Sequence, residues 1–148
     1  MSVLFDSSVL VPVFYADHIH HEPSAQAFLA ARKDDSFCAL RSLGEIYATL
    51  TGLPLRPRIV GPEAMTAIRE IRKRLTVVSL SDEEYVATLQ ELSDVGIVGG
   101  AAYDALIARC ALKMDAEIIL TWNVKHFVRF GEVTARRVRT PLELPANF

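Results

Sequence analysis

The chain has 148 residues, a length that suits one compact domain, residues 1–148, rather than two. Apolar residues make up 51% and charged residues 23%, which supports a packed core and excludes a disordered chain. A formal net charge of -2 speaks against a non-specific nucleic-acid coat protein, which would be basic overall.

In chain order, residues 2–5 (SVLF) form a short apolar run with β character that ends at Asp6. Ser7 and Ser8 are placed to cap a helix through VLVPVFYA, in which Pro12 needs an early-turn position or makes a kink. DHIHHEP reads as a loop, and Pro23 opens a helix through AQAFLAARK. Residues 36–40 read as a second strand. Residues 42–53 read as a helix with Leu43, Ile46, Tyr47 and Leu50 on one stripe. After the breaker-rich PLRPR, residues 62–74 form an amphipathic helix with Ala64, Ile68, Ile71 and Leu75 inward, and 76–80 a β-branched strand. Ser81 followed by Glu84 is a capping-box signature for a helix through 94. Gly96, Gly99 and Gly100 mark a turn, residues 101–114 a long helix, and 117–121 a strand. TWNVKHF is a short turn or helix, and RVRTPLEL adds an edge strand. Short apolar strands alternating with helices predict an α/β domain, a three-layer α/β/α sandwich with a mostly parallel central sheet.

No stretch approaches the roughly 18 apolar residues of a membrane span, and MSVLFDSS lacks the basic start of a signal peptide. A cytoplasmic protein is expected. Cys38 and Cys110 each sit in apolar context, which predicts buried free thiols rather than a disulfide or a zinc site.

The chemistry rests on acids. Asp6 directly follows a strand, and in open parallel sheets ligands bind beyond the carboxyl ends of strands; the alternative is a plain helix N-cap. Asn123 occupies the equivalent place after EIILT. On the 101–114 helix, Tyr103, Leu106, Ile107, Cys110 and Met114 define an apolar stripe and Arg109 and Lys113 a polar side. Asp104 projects away from that polar side, where an unpaired carboxylate is costly unless paired, protonated or metal-bound. It reads either as a site ligand or as a cap-region acid. Glu45 lies opposite its helix's apolar stripe beside Ala48, Thr49 and Gly52, so it is a solvated position or a site acid. Three carboxylates from separate elements suit a hard divalent cation, magnesium or manganese, which could activate water against a phosphodiester. Arg56 and Arg58, then Arg69, Arg72, Lys73 and Arg74, and Arg136, Arg137 and Arg139 are either solvated faces or a phosphate-tracking surface. His18, His20 and His21 read as a surface loop and His126 as a packing residue, although it could act as an acid or base. Trp122 and Phe127 read as packing residues that could stack bases.

The order VLFDSSVL, SLGEIYATL, AAYDALIARCA, ILTWNVKHF, spanning positions 3 to 127, resembles the PIN domain, specifically the VapC-type toxin nucleases. The resemblance implies a parallel-sheet α/β/α fold and magnesium- or manganese-dependent RNA cleavage. It also implies a homodimer and inhibition by a small antitoxin protein. It maps the metal ligands onto Asp6, Glu45 and Asp104. Where many relatives have a further Asp, this chain has Asn123, which can coordinate through its carbonyl oxygen but brings no charge. Thr121 matches a hydroxyl position beside the acidic pocket of relatives; a strand-end Thr capping the next turn is the plainer reading. A PIN-like domain serving as a protein-binding module is the competing function. A phosphoreceiver domain fails because the first strand ends in a single acid, and neither glycine-rich nucleotide fingerprint is present.

Overall fold

The computed structural model describes residues 1–145 and 148. Five short strands form its centre: β1 (Val3–Phe5), β2 (Ser36–Ala39), β3 (Thr76–Val78), β4 (Ile118–Leu120) and β5 (Val138–Arg139). Their order is β3-β2-β1-β4-β5, and every neighbouring pair is parallel. Helices α1 (Ser7–Val13), α2 (His21–Ala30), α3 (Leu40–Gly52), α4 (Gly61–Arg74), α5 (Asp82–Val95), α6 (Ala101–Lys113), α7 (Val124–Val128) and α8 (Glu132–Ala135) connect them, and a 3-10 turn covers Pro141–Glu143. The expected α/β/α arrangement is present, with the sheet parallel throughout and the last strand at its edge.

Parallel strands covered on both faces read as unbroken apolar runs, because neither face meets water. Val3, Leu4, Phe5, Ile119 and Leu120 are all fully buried. The pleat then deals successive side chains to opposite faces. Val3, Phe5, Cys38, Ile118 and Leu120 join a core with residues of α1 to α4. Leu4, Phe37, Ala39, Val78 and Ile119 join a second with Ile107 and Ala111 of α6 and Phe127 of α7. Truncating a side chain such as Phe5 to Ala would cost about 3–5 kcal/mol. Both thiols are free and buried, one in each core, as expected.

Several local expectations are corrected. Ser7 and Ser8 lie inside α1 and do not cap it; the N-cap position is Asp6, without a side-chain capping bond. The helix ends one residue after Pro12, so the proline falls near its close rather than in its first turn. α2 begins at His21, two residues before Pro23, because the His21 ring bonds the Pro12 carbonyl at 2.7 Å and anchors that turn. β2 runs into α3 without an intervening loop. On α6 the buried line follows Ala101, Ala105, Ala108 and Ala111 along with Leu106, Ile107 and Cys110, whereas Tyr103 and Met114 are exposed. Tyr47 of α3 is exposed too. The capping box at Ser81 and Glu84 is formed as expected, and Gly96, at φ 76°, closes α5 in the left-handed conformation that glycine tolerates best.

Candidate active site

β1 is the middle strand, so the residue after it stands at the centre of the sheet's carboxyl edge. That residue is Asp6, only 2% exposed. Its Oδ2 accepts hydrogen bonds from Ser8 Oγ at 2.7 Å and from Thr121 Oγ1 at 2.9 Å. A buried carboxylate needs such donors. Thr121 reaches it because β4 pairs with β1 in the register Phe5↔Leu120, which sets the two strand ends side by side. Thr121 is itself fully buried. Asp6 holds the N-cap position of α1 without a side-chain capping bond, and Thr121 combines its contact with Asp6 with the turn-capping role of a strand-end threonine, accepting the Asn123 backbone N–H at 2.9 Å.

Glu45 lies on α3, whose first residue follows β2 directly, so α3 also starts at the sheet's carboxyl edge. It is half-buried rather than solvated. Ser7 Oγ donates to Glu45 Oε2 at 2.9 Å, and Arg41 Nε, one turn earlier, stands 3.3 Å from Oε1. The Arg41 guanidinium also lies 3.6 Å over the Tyr103 ring, linking α3 to α6.

Asp104 is in the first turn of α6, half-buried, with Oδ2 3.3 Å from His126 Nδ1. Its carboxyl is raised above the usual carboxylate range. Burial is the main cause, followed by the negative charge of Asp6. His126 and Arg129 pull the other way, and Glu45 adds to the rise. Asp6, Glu45 and Asp104 thus share one electrostatic neighbourhood. Asn123 donates its backbone N–H to Thr121; its side chain is exposed and makes no hydrogen bond to the acids among the described residues.

The donor set is one of hard oxygens. Among the described residues, no three His, Cys, Asp or Glu side chains converge closely enough to enclose an ion by themselves. Hard oxygen donors are the kind that magnesium and manganese prefer, with waters completing their coordination.

Some residues at the site were undervalued by sequence reasoning. His126 is not a packing residue; its half-exposed ring faces Asp104 because α7 starts immediately after the β4 loop. Ser7 and Ser8 bond carboxylates. Their signal was the Asp-Ser-Ser run itself, in which the hydroxyls were assigned to capping. Trp122 is part-buried, with Nε1 donating to Ser24 Oγ at 2.9 Å and its ring stacked 3.8 Å from that of His20. Phe127 is core. The basic runs also divide. Arg137 donates to the carbonyls of Val133 and Ala116 and pairs with Asp115, and Arg139 donates to the carbonyls of Arg136 and Val138. Both guanidiniums are thus engaged by the protein's own carbonyls, which favours a structural role for them.

Comparison with known proteins gives concordant matches. The family model described as PIN domain matches residues 3–133. Ribonuclease VapC27 of Mycobacterium tuberculosis is 30% identical over 113 residues, covering 76% of this chain and 79% of that protein. Among solved structures, M. tuberculosis VapC20, described as a toxin cleaving the sarcin-ricin loop, aligns with a TM-score of 0.69 at 12% identity, over 88% of this chain and 97% of that one. A toxin–antitoxin complex from Klebsiella pneumoniae aligns at 0.66 and 16% identity, over 97% of this chain and 100% of that one.

Proposed function

The chain belongs to the PIN-domain family, and from that premise we propose that it is a VapC-type ribonuclease, the toxin of a toxin–antitoxin pair, which hydrolyses RNA phosphodiesters at the acid cluster around Asp6. What supports the reading is geometry at the carboxyl edge of the sheet: Ser8 and Thr121 hold Asp6 at the end of the central strand, Ser7 ties Glu45 to the same helical turn, and Asp104 faces His126 from the first turn of α6.

Asp6, Glu45 and Asp104 would hold a magnesium or manganese ion, with Asn123 adding a neutral carbonyl oxygen. The ion, when bound, supplies neutralisation of phosphate charge and makes an attacking water easier to deprotonate. Thr121 keeps Asp6 in place by donating to Oδ2. His126, with Nδ1 toward Asp104, favours the ionised form of that acid. Arg41, beside Glu45, and Arg129, whose charge acts on Asp104, would grip RNA phosphates.

The same reading makes the chain a single cytoplasmic nuclease domain, active as a homodimer and silenced by a cognate antitoxin. The membership of a related fold in a toxin–antitoxin complex supports the partner. Leu29 of α2 and Tyr47 of α3 are exposed large apolar residues available to an interface. No helix among the described residues is long and apolar enough to cross a membrane.

The test is calorimetric titration of manganese and magnesium into wild type and Asp104→Asn, paired with an RNA cleavage assay that includes Asp6→Asn. Binding and cleavage in wild type that vanish in both variants are expected. Cleavage surviving in Asp6→Asn would overturn the site. A folded wild-type dimer that binds neither ion and cleaves nothing would instead favour the protein-binding module, a reading supported by the missing charge at Asn123.

A further inference from the structure

We propose that Ser7 and Ser8, the first two residues of α1, are the positioning element of the acid site: Ser8 fixes which carboxylate oxygen of Asp6 is left to face the cation, and Ser7 ties Glu45 to the same helical turn. The proposal rests on the nuclease reading above and assigns roles that reading does not.

A serine or threonine hydroxyl has one proton to give and two lone pairs to receive with. Ser8 Oγ receives the Trp122 backbone N–H at 3.0 Å, and Thr121 Oγ1 receives that of Asn123 at 2.9 Å. Each hydroxyl therefore has a lone pair engaged, and its single proton goes to the strongest acceptor in reach, Asp6 Oδ2. The two hydroxyl oxygens also lie 3.2 Å apart, a contact for which neither has a proton left. Oδ2 is saturated by two O–H donors, while Oδ1 accepts no hydrogen bond from the described residues. The carboxylate is thus oriented as well as satisfied, with one oxygen turned to the protein and the other free for a ligand.

Ser7 performs the matching task for a different element. Successive helical residues project about 100° apart, so Ser8 reaches back to the end of β1 while Ser7 reaches across to α3. Its hydroxyl donates to Glu45 Oε2, a residue 38 positions away. Two neighbouring side chains on one helical turn thereby set the separation of two acids that arrive on separate elements. Arg41 holds the other oxygen of Glu45, so that acid has two restraints where Asp6 relies on hydroxyls alone.

The experiment is calorimetric titration of Mn(II) into the full-length wild type, Ser8→Ala, Ser7→Ala and Ser8→Thr, with single-turnover RNA cleavage on the same preparations. Partners that orient metal ligands typically contribute ten- to a hundredfold in affinity. Ser8→Ala should weaken Mn(II) binding by about tenfold or more, with unchanged stoichiometry. Ser7→Ala should weaken it less, and Ser8→Thr should restore it. The cleavage rate should fall with Ser8→Ala while the RNA KM stays put. A merely structural serine would lower the fraction of binding-competent protein, and hence the stoichiometry, without moving the Kd. An unchanged Kd in Ser8→Ala overturns the proposal and leaves the nuclease reading standing. If Ser8→Ala does not fold, an unchanged Kd in Ser7→Ala does the same. No Mn(II) binding by wild type fails the nuclease reading and this proposal with it.

Discussion

His126 Nδ1 lies 3.3 Å from Asp104 Oδ2, so the rim helix α7 meets the first turn of α6 over a carboxylate that burial and two neighbouring acids push toward protonation. The folded state holds the Asp104 proton more tightly than the unfolded chain does. Its contribution to stability therefore falls as pH rises from the unfolded carboxyl value toward the raised folded one, and at neutral pH the ionised group opposes folding.

Asp104→Asn should therefore melt higher than wild type when both are free of metal, by about 1–3 °C, since the loss of the His126 contact offsets part of the gain. Manganese should reverse the order. At a hundredfold excess over its Kd it stabilises whatever binds it by about 2.7 kcal/mol, and only wild type should respond. Scanning calorimetry with chelator and with manganese measures both. A variant that gains as much from manganese as wild type would remove Asp104 from the ligand set.

Thr121→Val removes one of the two donors on a buried carboxylate and leaves the Asn123 N–H without its acceptor. Breaking a buried hydrogen bond to a charged group costs about 1–3 kcal/mol. Urea unfolding should show that loss in the midpoint with the slope unchanged, and cleavage should fall with it.

Glu84 tests a charge remote from the chemistry. Its hydrogen bond with Lys113, and then those with Ser81, hold its carboxyl down at about 2. A carboxyl depressed in the folded state stabilises it above the unfolded pKa of about 4.3 and loses that contribution as pH falls toward 2. Glu84→Gln should lower the melting temperature at pH 7, and the gap to wild type should close in acid. A gap that does not change with pH would mean that packing, and not charge, is what the substitution removes.

Arg137→Met separates the two readings of the C-terminal arginines. Its guanidinium is held by the Val133 and Ala116 carbonyls, so the variant should lose about 1–3 kcal/mol of stability. The dependence of RNA binding on salt should keep its slope, because no phosphate contact is lost. A slope shallower by about one would return Arg137 to the nucleic-acid surface.

Much of the fold was legible because buried parallel strands leave a trace: VLF and IIL are short runs, apolar at every position and alternating with helices, as a sheet covered on both sides requires. Asp6 was legible from its place at a strand end. Asp104 was legible as an acid on the wrong side of its helix. What escaped was decided by tertiary contact. The hydroxyls of Ser7 and Ser8 have the chemistry of caps, and only the arrival of Glu45 and the neighbouring carboxylate of Asp6 redirects them. On α6, Leu106, Ile107 and Cys110 are buried as expected, but Tyr103 and Met114 are not: the alanines of the helix join its buried line, and Tyr103 turns outward under Arg41. His126 and Arg137 show the same limit: a titratable or cationic side chain in sequence carries no mark of whether it meets a carboxylate, a carbonyl or water.

The strand order also has a consequence in time. β1 precedes the other four strands in sequence yet lies between β2 and β4, and its pairing of Val3 with Ile118 cannot close until the chain has been made through residue 118. Contacts this distant form late. A nascent chain arrested before residue 121 has Asp6 but lacks the threonine that orients it, and one arrested before residue 104 lacks an acid outright. The topology thus ties the assembly of the candidate acid site to the pairing of β1 with β4, a step that waits for residues more than a hundred positions after Asp6.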